Sequence, residues 1–328
     1  MEENTYWNLI MYLSYISVCL IILKIYNNIT KGKFNSSKRL DGQVIIVTGA
    51  SKGIGKCTAV ELAKRGAKVI LAGVDPKDLN EAKKEIVEKS GNENIVAKHL
   101  DLASFKSVRK FAKDVLETEN RLDVLVNNAG VNCIVNPKTE DGIPMGLQVN
   151  HYGHFLLTNL LIGLLKKSAP SRIIHISSSA HLLGKIDFDD LIGEKNTKWN
   201  FQYYFDSKLY NFVGSNEFSR RLEGTGVTSN SVHPGDARTE LLVENINSIL
   251  AFIANAFVGT FFKTAEQGAQ TAIYLAVSDD VINVSGKYFA DCKKSILTRP
   301  IVNNKEIGNR FFERCCDIVG LESEERLT

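Results

Sequence analysis

Tyr204 and Lys208 are the residues of this chain whose types and spacing most directly suggest chemistry. In a helix, residues four positions apart lie on one face, one turn from each other. An ammonium group beside a phenol favours the phenolate, so it would lower the phenol's pKa from its usual value of about 10. Such a phenol can give a proton to a carbonyl oxygen or take one from an alcohol. The pair alone is weak, because Tyr-x3-Lys also occurs by chance on many helix surfaces.

A glycine-rich turn follows the first β-branched run, residues 43–48. Buried parallel strands have this composition, and residues 57–65 then read as a helix that Gly66 ends. At such a strand-to-helix turn, glycines let the backbone approach a pyrophosphate, which the N–H groups of the helix N-terminus bind. The candidate cofactor-binding residues in the turn are Gly49, Ser51, Lys52, Gly53, Ile54 and Gly55. The spacing G-x3-G-x-G indicates a nucleotide site only because it lies between a strand and a helix.

Strands and helices continue to alternate after this turn. Strands are predicted at 68–72, 95–100, 123–127, 172–177, 227–232 and 286–290, and helices at 78–89 and 104–117. This alternation predicts one doubly wound α/β domain, a parallel sheet with helices on both faces. Asp101 and Leu102 close the third strand and could flank an adenine. Asn128, Ala129 and Gly130 follow the fourth strand, at the sheet edge where such folds bind ligands, although asparagines also suit a plain turn.

Three motifs together resemble the short-chain dehydrogenase/reductase family: Thr48-Gly49-x3-Gly53-Ile54-Gly55, Asn127-Asn128-Ala129-Gly130 and Tyr204-x3-Lys208. They occur in the expected order, and the resemblance covers about residues 40–295. It implies a Rossmann fold in which Tyr204 transfers a proton and Lys208 lowers the tyrosine pKa and binds the nicotinamide ribose. It also implies that Ser178 orients the substrate oxygen and that Asn150 holds a water in a proton relay to Lys208.

Neighbours of these catalytic candidates receive plainer interpretations. Ser177 and Ser179 are interpreted as turn residues on either side of Ser178. His151 and His154 are assigned no role, because histidines at such positions more often pack or face solvent. Asp206, inside the tyrosine–lysine motif, is interpreted as a surface residue.

The resemblance also places Pro234 and Gly235 beside the nicotinamide, and Thr239 at its amide or at the phosphates. A Pro-Gly pair could equally form a plain turn. Residues 246–262 are rich in Ile, Leu and Phe, and they follow this turn where the family has its substrate lid. That apolar segment could line a greasy pocket, dip into a bilayer surface or form an ordinary buried helix.

The end of the second strand gives no clear choice between NAD and NADP. A carboxylate there binds the ribose 2′-OH of NAD, whereas a nearby cation favours the 2′-phosphate of NADP. Gly73 stands where NAD-users of the family are acidic, and Val74 stands where the related branch often has Arg. Asp75 reads as the start of the next turn. Lys52 is the basic residue that NADP-users of the family often have, so we expect NADP(H) rather than NAD(H) as the cofactor.

Further local runs resemble the microsomal retinol dehydrogenase branch of the family, at residues 150–158, 177–181, 231–235, 263–271, 285–286 and 291–292. The branch implies a membrane-anchored oxidoreductase of retinal, retinol or similar lipophilic aldehydes and alcohols. A steroid or fatty-aldehyde dehydrogenase with the same site is the alternative enzyme. A catalytically silent member that binds nucleotide as a scaffold is another alternative, which the presence of Asn150, Ser178, Tyr204 and Lys208 disfavours.

The N-terminal residues 1–26 predict a membrane anchor. No charge lies between Glu3 and Lys24, and residues 6–26 would form a helix about 30 Å long, the thickness of a hydrocarbon core. A cleaved signal peptide is disfavoured, because the start is acidic and no small-residue cleavage site follows. Basic residues follow the segment and none precedes it, which places the remainder in the cytosol. The prediction is a single-pass endoplasmic reticulum protein with an anchor at 1–26, a polar linker at 27–40 and a cytosolic oxidoreductase domain at 41–328.

Composition argues against several other classes of partner. Forty Lys and Arg against 37 Asp and Glu give a net charge of +3, and no basic stripe suggests nucleic acid. The six cysteines have neither C-x-x-C pairs nor metal-ligand spacing, so free thiols and no metal are expected. Cys315 and Cys316 are interpreted as buried helix residues rather than acylation sites. No pattern indicates an oligomeric state.

Overall fold

The computed structural model describes residues 2–132, 137–195, 200–235 and 263–327. The strands in these ranges are β1 Val44–Thr48, β2 Lys68–Gly73, β3 Ile95–His99, β4 Val124–Asn127, β5 Ser171–Ile176, β6 Val227–His233, β7 Tyr288–Ala290 and β8 Lys293–Lys294. They form one sheet in the order β3-β2-β1-β4-β5-β6-β7-β8. Strands β1 to β7 are parallel, and β8 pairs antiparallel with β7.

Helices precede, connect and follow the strands. They are α1 Glu2–Thr30, α2 Gly53–Lys64, α3 Pro76–Ser90, α4 Phe105–Thr118, α5 Met145–Leu147, α6 Gly153–Lys167, α7 Asn200–Arg221, α8 Ala265–Val277, α9 Pro300–Asn303 and α10 Lys305–Ile318. Between α5 and α6, Gln148–Tyr152 forms a π-helical turn. Helix α2 begins at Gly53 rather than at Cys57, because the glycine turn leads directly into the helix.

The sheet has a hydrophobic core on each face, as its apolar strands predict. Ile46 of β1 packs with Phe155 and Phe312 on the face covered by α4, α6, α7 and α10. Its neighbour Val47 packs with Leu62 on the face covered by α2, α3 and α8. Successive side chains of a strand point to opposite faces, so a strand buried on both sides is apolar throughout. The predicted doubly wound parallel sheet is therefore confirmed.

The strand order reverses between β1 and β4, which are neighbours in the sheet. At such a switch point the connections leave in opposite directions and open a crevice outside the carboxyl ends of the strands. The sequence did not predict β8, because two lysines at an edge have no pattern that distinguishes a strand from a loop.

Two expectations about which side chains are buried had different outcomes. Cys315 and Cys316 are fully buried on α10, as expected. The interpretation of Asp206 as a surface residue is wrong, because its side chain is fully buried. Its Oδ1 accepts hydrogen bonds of 2.7 Å from the Lys185 backbone N–H and from the Gln202 amide. These two hydrogen bonds partly compensate for the burial of the carboxylate.

Helix α1 exposes large apolar side chains, among them Trp7, Tyr12, Ile22 and Ile29. No helix within the described residues has both the length and the apolar character needed to cross a membrane.

Residues 31–40 lie against the domain. The Phe34 N–H donates to Gln270 Oε1 at 3.0 Å, and the Phe34 ring contacts the edge of Tyr274. Arg65 donates to the carbonyl oxygens of Ser36 and Lys38. These contacts attach the segment that follows α1 to α2 and α8.

Candidate active site

The Thr48 hydroxyl joins the carboxyl ends of β1 and β4. Its Oγ1 accepts hydrogen bonds from the backbone N–H groups of Asn128 and Ala129, at 2.8 and 2.9 Å. The Asn128 side chain donates back to the Thr48 carbonyl at 2.8 Å. Asn128 and Ala129 therefore form a wall of the crevice whose position depends on the end of β1.

The glycine turn is packed so closely that side chains would not fit at two of its positions. A Cβ at Gly49, where φ is +63°, would lie 2.8 Å from the Ala129 Cα atom. A Cβ at Gly55 would lie 2.3 Å from the Gly49 carbonyl oxygen. Ile54 packs into the core, and α2 starts without a side-chain cap. The first N–H groups of α2 are thus available to a phosphate, which helix N-termini bind well.

Lys208 lies inside the crevice and is buried to 4% exposure. Its Nζ donates to the Ile176 carbonyl at 3.3 Å and lies 5.3 Å from the centre of the half-buried Tyr204 ring. Burial lowers the pKa of Lys208 to about 8. An ammonium group has three donors, and Ile176 is its one hydrogen-bond partner within the described residues. The remaining donors fit the hydroxyls of a nicotinamide ribose.

Asn150 lies in the π-helical turn and is held by its side-chain amide. Its Oδ1 accepts from the Val131 N–H at 2.7 Å, and its Nδ2 donates to the Val131 carbonyl at 2.9 Å. Nδ2 also lies 3.1 Å from Ser207 Oγ. A Cβ at Gly130 would lie 3.3 Å from Asn150 Oδ1 and 3.6 Å from Lys208 Nζ. Gly130 thus leaves open the space beside the amide and the ammonium.

The serines after β5 have separate environments. Ser177 is buried, and its hydroxyl donates to the Lys208 carbonyl at 2.7 Å. The Ser179 N–H donates to His233 Nδ1 at 3.3 Å. Ser178 is half-buried, and its Oγ accepts from the Ala180 N–H at 3.2 Å. That bond uses a lone pair of Ser178 and leaves its O–H able to donate.

Polar contacts also surround the end of β2 and the start of α3. Asp75 caps α3, because its Oδ1 accepts from the Lys77 N–H at 2.7 Å. Val74 is 57% exposed beside it, and His99 Nδ1 lies 2.8 Å from the Val74 carbonyl. Lys52 Nζ lies 3.5 Å from Asp78 Oδ2, and both side chains are exposed. A cation and a carboxylate therefore stand together between the glycine turn and the N-terminus of α3.

Asp101 and Leu102, which follow β3, have different environments. Asp101 Oδ1 accepts from the Ala103 N–H at 2.8 Å. Leu102 packs into the core, where a Cβ at Gly153 would lie 2.6 Å from the Leu102 carbonyl. Its side chain does not face the crevice.

Pro234 and Gly235 follow β6 and are the last residues described before the gap at 236–262. Gly235 has a φ of +82°, and a Cβ there would lie 2.5 Å from Lys263 Nζ. Lys263 is buried and forms an ion pair with Asp291, which the sequence reasoning missed because the two residues share no motif. Thr239 and the apolar segment 246–262 lie outside the described residues.

The chain matches known proteins in sequence and in fold. Residues 43–188 match the family model described as short chain dehydrogenase. Retinol dehydrogenase 13 of Homo sapiens is 45% identical over 308 residues, with 92% of each chain covered. Retinol dehydrogenase 11 of Mus musculus is 43% identical over 302 residues, covering 92% of this chain and 94% of that protein.

Solved structures have the same architecture. An uncharacterised protein from Mycobacterium paratuberculosis has a TM-score of 0.69 at 27% identity, covering 87% of this chain and 96% of its own. A short chain dehydrogenase from Shigella flexneri, complexed with NADP, has a TM-score of 0.63 at 25% identity, covering 79% and 100%. The chain therefore belongs to the short-chain dehydrogenase family, in its retinol dehydrogenase branch. It is an oxidoreductase that acts on an alcohol or the corresponding carbonyl compound, with a fold that binds NAD(P).

Proposed function

We propose that this protein is an NADP(H)-dependent oxidoreductase that transfers hydride between the cofactor and a retinoid, retinal or retinol, or a similar lipophilic aldehyde or alcohol. The observation that carries the proposal is the buried Lys208 ammonium, 5.3 Å from the Tyr204 ring and beside Asn150 at the carboxyl edge of the sheet. The similarity to retinol dehydrogenases over about nine tenths of the chain supports the substrate class.

Tyr204 gives the proton to the carbonyl oxygen in reduction and takes it from the alcohol in oxidation. Lys208, with its pKa lowered to about 8 by burial, is still mainly protonated at neutral pH. Its charge stabilises the phenolate and so lowers the pKa of the Tyr204 phenol. Its unused donors bind the ribose hydroxyls. The cofactor supplies the hydride chemistry.

Ser178 and Asn150 complete the proposed catalytic set. The free O–H of Ser178 donates to the substrate oxygen and holds it near the Tyr204 phenol. Asn150 is fixed by Val131 and Ser207, next to the space that Gly130 leaves open. A water held there would relay protons towards Lys208.

The preference for NADP(H) rests on the charge around the adenosine ribose. Neither Gly73 nor Val74 can provide the carboxylate that would bind a ribose 2′-OH. Asp75 is engaged as the cap of α3. Lys52 is a cation within reach of the α3 N-terminus, as its contact with Asp78 indicates. Cytosolic NADPH would drive such an enzyme towards reduction.

We further propose that α1 attaches the protein to the endoplasmic reticulum membrane, with the catalytic domain in the cytosol. Trp7 is 65% exposed and Ile29 is 78% exposed near opposite ends of the helix, with other apolar side chains exposed between them. Apolar surface of this extent normally has a cover, and lipid provides it. A lipid-soluble substrate suits an enzyme held at a membrane.

The experiment that tests the function uses the full-length protein in detergent micelles. Consumption of NADPH or NADH is measured with retinal, with a set of steroids and with aliphatic aldehydes. The proposal expects the highest kcat/KM with retinal and NADPH. A higher kcat/KM with a steroid or an aliphatic aldehyde would make that compound class the substrate in place of retinoids. Cofactor binding without turnover of any substrate would indicate a nucleotide-binding scaffold.

A further inference from the structure

We propose that His154 is a positioning residue that joins the cofactor side of the site to its catalytic side. One ring nitrogen holds Thr48 at the glycine turn, and the other holds the backbone carbonyl of Asn150. This inference rests on the proposed function, which gives the Thr48 contact a role in cofactor binding and the Asn150 contact a role in catalysis. His154 was assigned no role from the sequence alone, and no local pattern relates it to Thr48.

The first contact follows from the hydrogen-bonding capacity of the Thr48 hydroxyl. Its oxygen accepts from the N–H groups of Asn128 and Ala129, which uses both lone pairs. The hydroxyl has a single proton left to donate. His154 Nε2 lies 2.8 Å away, and the Val126 carbonyl lies 3.3 Å away. The shorter contact makes His154 Nε2 the better acceptor, so this nitrogen has no proton.

The second contact follows from the tautomer that the first one requires. If Nε2 accepts, then Nδ1 bears the proton of a neutral imidazole. Nδ1 lies 3.3 Å from the Asn150 carbonyl oxygen and donates to it. His154 is 2% exposed, and burial lowers its pKa to about 3, so the ring stays neutral at every working pH. One donor and one acceptor are what the two contacts need.

The backbone of His154 is fixed as well, which makes the ring a rigid link. Thr158 Oγ1 donates to the His154 carbonyl at 2.8 Å, and the Asn127 amide donates to Thr158 Oγ1 at 2.9 Å. His154 is therefore held by Thr48 at the end of β1 and, through Thr158, by Asn127 at the end of β4. It links both strands to the π-helical turn that contains Asn150. A shift of the ring would move both the wall of the cofactor crevice and the catalytic amide.

His151 provides a matched control on the same turn. It is 3% exposed, and its Nδ1 lies 3.1 Å from Asn211 Oδ1. Its Nε2 lies 3.5 Å from the Cys315 sulfur on α10. These contacts are with α7 and α10 and include none of the proposed catalytic residues. Replacement of His151 should therefore lower stability without selective effects on cofactor binding or turnover.

The test uses two substitutions that each keep one of the two hydrogen bonds of the His154 ring. In His154→Asn, the shorter amide can still donate to the Asn150 carbonyl but cannot reach Thr48. The dissociation constant of NADPH should rise about tenfold, with kcat within about twofold of the wild type. In His154→Gln, the longer amide can still accept from Thr48, and its contact with Asn150 is lost. Here kcat should fall about tenfold, with NADPH affinity within about twofold.

His151→Gln is measured beside them and should lower the melting temperature while changing either constant by less than about twofold. If both His154 variants change affinity and turnover by equal factors, or behave like His151→Gln, His154 is a packing residue and the inference is wrong. NADPH binding, followed by nicotinamide fluorescence, needs no substrate. A wild type that binds NADPH without reducing retinal would therefore refute the function and still test the Thr48 contact.

A double-mutant cycle with Thr48→Val tests the contact between Thr48 and His154 and does not depend on His154→Gln. Thr48→Val keeps the shape of the side chain and removes the hydroxyl. Its effect on NADPH affinity should be smaller when His154→Asn is already present, because the contact between the two side chains is then already lost. Strictly additive effects would contradict the contact. Wild-type NADPH affinity in correctly folded Thr48→Val or His154→Asn would contradict it as well.

Discussion

Substitutions at Lys52 and Asp78 should change cofactor preference in opposite directions. Lys52 Nζ lies 3.5 Å from Asp78 Oδ2 at the N-terminus of α3, with both side chains exposed. If Lys52 binds the 2′-phosphate of NADP(H), Asp78 competes for the same cation and repels the phosphate. We expect Lys52→Ala to weaken NADPH binding with little effect on NADH. We expect Asp78→Asn to strengthen NADPH binding, again with little effect on NADH.

The magnitude follows from the distance and the exposure of the pair. Two unit charges 3.5 Å apart attract each other by about 1 kcal/mol in water, and exposed pairs contribute about 0.2–1 kcal/mol in practice. Removal of Asp78 should therefore improve NADPH affinity about 1.4- to fivefold. Lys52→Ala removes a charge-assisted hydrogen bond to the phosphate, which contributes about 1.5–3 kcal/mol, so NADPH affinity should fall by at least about tenfold.

The assay measures the dissociation constants of NADPH and NADH at low and high salt. Glu85→Gln is the control, because Glu85 pairs with Lys56 at 2.7 Å between the same two helices. It should leave the NADPH-to-NADH ratio unchanged. Salt should reduce the effect of Asp78→Asn, since exposed charges are screened within about 10 Å at 0.1 M. An Asp78→Asn variant that binds NADPH no better than the wild type would refute the assignment of Lys52 to the phosphate.

Three further predictions concern the catalytic pair and the topology. Tyr204→Phe should keep NADPH affinity and lose turnover by orders of magnitude, and near-normal turnover would contradict its proposed role. Burial lowers the pKa of Lys208 from 10.5 to about 8, so the folded protein binds fewer protons than the unfolded chain between these values. Stability should therefore rise with pH across that window, and comparison of urea unfolding with Lys208→Met should show the loss of this slope. The sequons at Asn28, Asn35 and Asn283 should stay unmodified in microsomes, and glycosylation at any of them would reverse the proposed orientation.

The fold and the main candidate residues could be predicted because they depend on local patterns. β-branched runs, the glycine turn and the Tyr-x3-Lys spacing each lie within a few residues of sequence. The strand-to-helix alternation then determines which strand ends share an edge. Lys208, Asn150 and Gly130 come together from three separate elements, and it was the resemblance to the family that implied a place for Asn150 near Lys208.

What sequence reasoning missed depends on contacts between distant parts of the chain. Asp206 resembles a surface residue within its helix, and its burial follows from the loop that contains Lys185. His154 lies 106 positions from Thr48, so their contact has no local signal. Residues 31–40 have the composition of a linker, yet their backbone finds acceptors and donors on α2 and α8. Buried polar groups form hydrogen bonds with residues far away in the sequence, and a periodic pattern cannot identify those residues.

The environment of Lys208 explains why the site keeps a buried charge at a cost to stability. A carboxylate partner would offset the desolvation of the ammonium and raise its pKa. None of the described carboxylates pairs with Lys208, which instead contacts a carbonyl oxygen and the Tyr204 ring. A carboxylate would also cancel the positive charge that acts on the phenol, and would repel the phenolate. The unpaired ammonium therefore lowers the stability of the fold, but its full charge acts on the Tyr204 phenol. The hydrophobic cores on both faces of the sheet offset this loss of stability.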